Sequence, residues 1–325
     1  MSRPESPRSI AQLVRRGYRR LRPQPRGHGK VTVERGPGYV QYSGPQAAVV
    51  QAELEPDRRT GIYLRGACDL PSLFGSVPLF RDEVRGTVCL YKAPGKIDSA
   101  RADLLLQTLQ DLPASQTAET VRRLKLHPKY FSGDLFEPTF RVVAMPQLGE
   151  VPKTVVVLSV APNVIRTVYR HKEQGFLVDP GGSWLNNRVR ETLADRETIE
   201  WFAERFERIG QFTVEQFRET FSALVREVNA RTGAAVAVTN VLTVEPSDRT
   251  HNFQLRPRPQ GLRRRQFNLA LVDLSRELGF HIIDVDRALK RTGVDPALDF
   301  AHFEGHSYGA VAKAAHRVFR ELDVL

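Results

Sequence analysis

Cysteine is almost missing: two residues in 325, Cys68 and Cys89. That excludes a disulfide framework and fits a reducing compartment. No apolar run approaches the roughly 20 residues that span a bilayer. The N-terminus lacks the apolar h-region of a secretory signal, so the expected location is the cytoplasm. No internal repeat occurs, which argues against a solenoid or propeller. Acidic residues are scarce in one place only. Residues 1–30 hold nine Lys/Arg against a single acid, Glu5, a local charge of +8. The other 39 basic and 36 acidic residues leave +3 for the rest of the chain. The overall charge of +11 is therefore mainly the property of a tail, and a specific nucleic-acid-binding domain is not expected.

What is present reads as ordinary globular sequence, 41% hydrophobic and 26% charged. Residues 1–30, rich in Arg, Pro and Gly, read as a solvated, disordered tail. Within it, "SIAQLVRRGYRRLRP" is also compatible with a short basic amphipathic helix making weak contact with a membrane surface or an acidic partner. Residues 31–58 alternate weakly and predict a β-rich lead-in. From residue 59 to 325 the pattern is strand then helix, repeatedly. "GIYLRG", "GTVCLYKA", "FRVVAMP", "TVVVLSV", "AAVAVTNVL" and "HIIDVD" read as strands. Helices are expected over residues 100–112, 117–126, 188–209, 213–231, 264–278 and 308–322, with Thr213 and Gln216 forming a capping box. This alternation predicts an α/β domain: a doubly wound parallel sheet in three layers, α/β/α. The near-continuous Val/Ile/Leu/Ala content of the strands fits burial on both faces. Ligands of such sheets bind at the carboxyl ends of the strands, so residues just past each strand are the ones to inspect.

Three strand ends carry unusual residues. After "GIYLR" comes Gly66-Ala67-Cys68-Asp69. A thiol at a strand-to-helix turn is activated by the positive helix end and by a nearby imidazole. Taken alone, Cys68 reads more readily as a small buried hydrophobe, the usual role of a free cysteine. After "TVVVLSV" comes Asn163, whose amide can donate to an oxyanion or simply shape a turn. Ser159, a competing nucleophile, lies within the strand and reads as packed. Before the last helix, Asp299 and His302 stand three apart, a spacing that lets a carboxylate orient an imidazole base. His306 is an alternative base without a carboxylate three residues earlier.

Order and context together resemble the SGNH (GDSL-type) hydrolase superfamily. Its members carry a nucleophile after the first strand, a Gly after the second, an Asn after the third and Asp-x-x-His before the last helix. The resemblance spans roughly Gly61–Leu322 and implies a flavodoxin-like sheet with Cys68, Asn163, Asp299 and His302 as catalytic residues and Gly95 as the second-motif glycine. Asn268 lies in the helix that precedes the last motif. This sequence departs from the family at two motifs: Gly-Asp-Ser is Gly66-Ala67-Cys68, and Gly-x-Asn-Asp is Ala161-Pro162-Asn163-Val164. The Gly-x-Cys form is similar to a capsule-polysaccharide acetyltransferase-like branch. It implies acyl transfer, as esterase or O-acyltransferase, on a glycan or cell-envelope substrate.

No metal site or resident cofactor is expected; acyl-CoA is the natural donor if the enzyme is a transferase. The segment after Asn163 places Arg166, Arg170, His171, Lys172 and Trp184 near the candidate site. The cations suit a phosphate or carboxylate and Trp184 suits stacking on a sugar, while a structural loop explains them equally well. Likewise "RPRPQGLRRR" reads as a solvated loop or as a basic loop facing CoA or a phosphorylated sugar. Two other functions stay open on the sequence: a degenerate, non-catalytic protein binding a glycan or nucleotide-linked sugar, and an adaptor recruited through its basic tail.

Overall fold

The apolar runs become the central strands, because a chain stretch that is apolar on both faces is satisfied only between two layers of helices. A computed structural model describes residues 32–36, 38–43, 47–52, 60–65, 70, 83–93, 96–97, 100–110, 112–126, 130–131, 153–180, 195–244, 260–293 and 305–325. The strands are β1 (Thr32–Gly36), β2 (Tyr39–Ser43), β3 (Ala47–Ala52), β4 (Thr60–Arg65), β5 (Val84–Ala93), β6 (Lys96–Ile97), β7 (Lys153–Ser159), β8 (Val168–His171), β9 (Leu177–Val178), β10 (Phe206–Gly210), β11 (Ala235–Thr239) and β12 (His281–Ile283). The helices are α1 (Ala102–Leu109), α2 (Ala114–Arg123), α3 (Ala161–Ile165), α4 (Arg196–Arg205), α5 (Val214–Thr232), α6 (Gln260–Leu278), α7 (Val285–Thr292) and α8 (Gly305–Glu321).

Five strands run parallel in the order β5-β4-β7-β11-β12. In chain order this is 2-1-3-4-5, the flavodoxin-like arrangement, with its switch point between β4 and β7. The β-rich lead-in joins the same sheet: β3 pairs antiparallel with β5, and β2 and β1 follow outward. Alternate residues of each central strand face opposite layers. On one face Val156, Leu158, Val236 and Val238 meet apolar residues of α1, α5 and α6, among them Leu105, Phe217, Phe221, Phe267 and Leu271. On the other, Ile62, Leu64, Val155, Val157 and Ala237 meet α7 and α8 through Leu289, Val311, Ala315 and Phe319.

Helix α8 fixes the polarity of the second face. Its last turns reach the amino ends of the strands, where His316 Nε2 lies 2.6 Å from Glu83 Oε2 just before β5, and Arg320 pairs with the same carboxylate. Beyond α8, Asp323 pairs with Lys153 at the start of β7, and the Val324 carbonyl accepts from Thr60 at the start of β4. A 17-residue helix is about 25 Å long, somewhat longer than the strands beside it. Its first residue, Gly305, therefore lies at the carboxyl edge of the sheet.

Local structure differs from the sequence expectation in two places. Within the expected helix over 188–209, only Arg196–Arg205 is helical among the described residues; the chain then turns into β10, because Phe206–Arg208 pair antiparallel with β8. That pairing is nonlocal and invisible to helical propensity. The small β10-β8-β9 sheet and α4 close around their own aromatic cluster of Tyr130, Phe131, Tyr169, Phe176, Phe202 and Phe206. "HIIDVD" also splits. Its strand ends at Ile283, where the Asp284 carboxylate accepts from the Arg287 N–H and caps α7. The expected strand over "FRVVAMP" lies outside the described residues. The capping box is present: Thr213 Oγ1 accepts from the Gln216 N–H at 3.2 Å, and Gln216 Oε1 accepts from the Thr213 N–H at 2.9 Å.

Candidate active site

The switch point lies where β4 and β7 end side by side, Arg65 opposite Leu158. Residue 66 onward leaves β4 there, and the chain re-enters the described core at Leu70, which is buried among the α7–α8 face residues. The segment Gly66-Ala67-Cys68-Asp69 between these two buried anchors lies outside the described residues, as do Gly95, Trp184, Asp299 and His302. Among the expected catalytic residues, Asn163 is described in full.

Asn163 sits in α3, the five-residue helix that starts two residues beyond β7. Its side chain is 1% exposed. The amide oxygen accepts from the Ala102 N–H at 2.8 Å, capping the first turn of α1 from a distance of 61 residues. The amide nitrogen donates to the Ser159 carbonyl at 3.2 Å. Ala102 N–H can only donate, so the orientation of the amide is fixed by its partners. One N–H of the amide is thereby used. The carbonyl faces the positive end of a helix, which polarises the amide and strengthens its remaining N–H as a donor. Ser159 is buried, and its Oγ accepts from the Ala161 N–H at 3.2 Å. This is the packed role expected of a serine inside the strand.

The short helix is held from behind by three side chains that collect its last carbonyls. Arg263 Nε of α6 donates to the Val164 carbonyl (3.0 Å), Gln211 Nε2 to that of Ile165 (2.9 Å), and Arg101 Nη1 to that of Arg166 (3.4 Å). The same two arginines grip the 210–212 turn, Arg101 at the Gly210 carbonyl (2.7 Å) and Arg263 at the Phe212 carbonyl (2.6 Å). Arg101 is 2% exposed, forms a bidentate pair with Asp103, and stacks 4.0 Å from the centre of the Phe212 ring. Burial, and secondarily the charge of Arg101, push the pKa of Arg263 down. Sequence reading missed Arg101 and Gln211, which nothing local marks, and placed Arg263 in a solvated or ligand-facing basic loop; residues 260–265 instead open α6, and Arg263 works across 99 residues.

The neighbouring strand ends are tied together in the same manner. Asn240, just past β11, donates to Asp284 Oδ1 (2.8 Å) and accepts from the Asp286 N–H (3.1 Å). Asp286 Oδ1 accepts from Thr243 N–H and Oγ1–H, and Lys290 reaches both Asp286 and Thr243. Asn268 of α6 holds both polar atoms of the Val241 backbone, and the buried Arg264 donates to the Leu242 carbonyl.

The cations after Asn163 all have intramolecular work. Arg166 lies 3.8 Å from the buried Asp179, and Arg170 pairs with Glu207 across β8–β10 at 3.5 Å. Lys172 Nζ caps the end of α4 at the Ala203 and Glu204 carbonyls. His171 is buried between Phe176 and Phe206, and its Nδ1 accepts from the Glu173 and Gln174 N–H groups. That geometry requires the neutral ring. Burial, the larger influence, lowers its pKa, opposed by the Glu173 charge.

No protein-family model matches the sequence, and no curated protein matches it. Solved structures that resemble it include two lipolytic proteins. A member of the lipolytic G-D-S-L family from Veillonella parvula DSM 2008 aligns at a TM-score of 0.38 and 11% identity, covering 80% of this chain and 98% of that one. The lipase/acylhydrolase from Enterococcus faecalis aligns at 0.33 and 12%, covering 81% and 96%. At these TM-scores the overlays are loose, and the fold rests on the strand order itself. The chain is a doubly wound α/β protein with a flavodoxin-like parallel sheet, similar to these two lipolytic structures.

Proposed function

We propose that this protein is an acyl-transfer enzyme, an esterase or O-acyltransferase that acts on an ester or thioester through Cys68, His302 and Asp299, with Asn163 as oxyanion donor. One observation carries the reading. The switch point, where sheets of this class bind ligands, has a rigidly oriented Asn163 on the β7 side and the last described residue of β4, Arg65, on the other. Three residues of chain beyond Arg65 reach at most about 10 Å, which keeps Cys68 near that point. The start of α8 at the same edge supports the approach of the Asp299–His302 segment.

His302 takes the Cys68 Sγ proton, with Asp299 holding the ring in the required tautomer. The thiolate attacks the acyl carbonyl, and the oxyanion draws on the remaining Asn163 N–H and backbone N–H groups. Collapse breaks the bond to the leaving alcohol or thiol, which takes the proton from His302, and leaves an acyl thioester on Cys68. Water or a sugar hydroxyl then gives its proton to His302, attacks the thioester, and releases an acid or a new ester with Cys68 restored. The resemblance to capsule-polysaccharide acetyltransferase-like proteins favours a glycan acceptor and an acyl-CoA donor.

A second reading draws on the burial of Asn163 and the use of both ends of its amide: a non-catalytic protein binding a glycan or nucleotide-linked sugar at the same edge. Hydrolysis of p-nitrophenyl acetate by wild-type and Cys68→Ala protein separates the two. The enzyme reading expects turnover that the substitution abolishes. Equal rates from both proteins overturn it.

A further inference from the structure

We propose that Arg263 and Arg101 are positioning residues for catalysis, holding the amide of Asn163 against movement as negative charge develops in front of it. The inference rests on the acyl-transfer reading and deepens it. A five-residue helix cannot support itself, because nucleation costs more than so few hydrogen bonds return. Helix α3 has no side-chain cap at its N-cap residue, Val160. Its rigidity must come from outside, and its C-terminal carbonyls show where: Val164 to Arg263, Ile165 to Gln211, Arg166 to Arg101.

Stability alone does not demand this arrangement. An ordinary exposed helix end is satisfied by water. Here two guanidiniums are instead withdrawn from solvent, one almost completely, and desolvating a charge is costly. Each spends one donor on α3 and another on the 210–212 turn, so helix and turn are locked as one body. Arg101 also directly precedes Ala102, whose N–H fixes the Asn163 oxygen. The amide is thus held at its oxygen by the start of α1 and at its nitrogen by Ser159, while two cations hold the chain just after it at the Val164 and Arg166 carbonyls. Both charges sit near the negative end of the short helix, where a cation is favourable.

The test is a double-mutant cycle on p-nitrophenyl acetate turnover with Asn163→Asp, Arg263→Met and the pair. Asn163→Asp keeps the acceptor for Ala102 and removes the N–H donor. Arg263→Met fills the volume of the stem and removes both hydrogen bonds together with the guanidinium contact to Phe267. Arg263→Met is expected to lower kcat by about 10- to 100-fold with KM within about two-fold, since a small misplacement of a transition-state donor acts on kcat. In the pair, the Arg263 effect should vanish, leaving kcat at the Asn163→Asp level. A merely structural role gives losses that multiply, and that result overturns the proposal. Should Arg263→Met fail to fold by circular dichroism, Arg263→Lys replaces it. It keeps the charge and one donor, and a smaller kcat loss, again absorbed by Asn163→Asp, is expected; multiplying losses again refute. Cys68→Ala run in parallel separates the two levels. If it keeps wild-type turnover, the acyl-transfer reading itself falls; if it is inactive while the losses multiply, only the positioning role falls.

Discussion

Arg101→Met is a strong perturbation of this fold, and its magnitude can be worked from the contacts. The guanidinium is 2% exposed and makes a bidentate pair with Asp103, whose other backbone-facing bond goes to the Leu104 N–H. It donates further to the Gly210 and Arg166 carbonyls and lies over the Phe212 ring. Methionine fills much of the stem volume but loses the guanidinium contact to Phe212 along with the hydrogen bonds and the ion pair. Removing one partner of a buried ion pair costs about 3–5 kcal/mol, because the remaining charge is left uncompensated. Total stabilities are about 5–15 kcal/mol, so the variant should fold but lie well below wild type. The melting temperature should fall by about 4–8 °C, taking about 1.5 °C per kcal/mol for a chain of this length. Urea unfolding followed by circular dichroism checks it, with an unchanged slope and a lower midpoint. A loss below about 1 kcal/mol would mean that water already serves Arg101, which contradicts its burial and the clamp built on it.

Two further outcomes follow from the polar network and the small sheet. Asn240→Ala leaves the Asp286 N–H and Asp284 Oδ1 each short of a partner and should cost about 2–4 kcal/mol in the same urea experiment, with a neutral effect refuting the network. His171 is held neutral by two N–H donors at Nδ1, and its pKa is depressed by burial. Its contribution is therefore complete above the unfolded value of about 6.5 and is lost as pH falls below it, since the unfolded chain then binds the proton more readily. His171→Asn, which offers an acceptor that does not titrate, should flatten the urea-midpoint profile below about pH 6.5; identical profiles would show that His171 does not supply the slope.

Much of this architecture is legible in the chain. "TVVVLSV" and "AAVAVTN" read as buried strands because their β-branched runs admit no solvent-facing side, and the Thr213–Gln216 box announces α5. Other elements are settled by distant partners. Phe206–Gly210 carries helix-compatible Glu and Arg, yet pairing with β8 makes it a strand. Helix α7 hides behind "HIIDVD" because Asp284 looks like a strand residue until its capping bond is seen. The same division holds at the site. Asn163 stands out by its place after a strong strand, whereas Arg101, Gln211 and Arg263 are ordinary residues locally and acquire meaning only when the fold brings them to α3. The cations of the 166–172 stretch illustrate the converse: a suggestive local cluster whose partners turn out to be Asp179, Glu207 and two helix-end carbonyls.

In the proposed reaction Cys68 forms the bond to the acyl group. Intact-mass and peptide-mapping spectrometry after brief exposure to p-nitrophenyl acetate, with acid quenching, reads that bond directly. Cys89, buried in β5, serves as the internal reference thiol. One acetyl group on the Cys68 peptide, absent from Cys68→Ala and reduced in His302→Ala, is the predicted result. Acetylation elsewhere with none on Cys68, or equal labelling in Cys68→Ala, would contradict it.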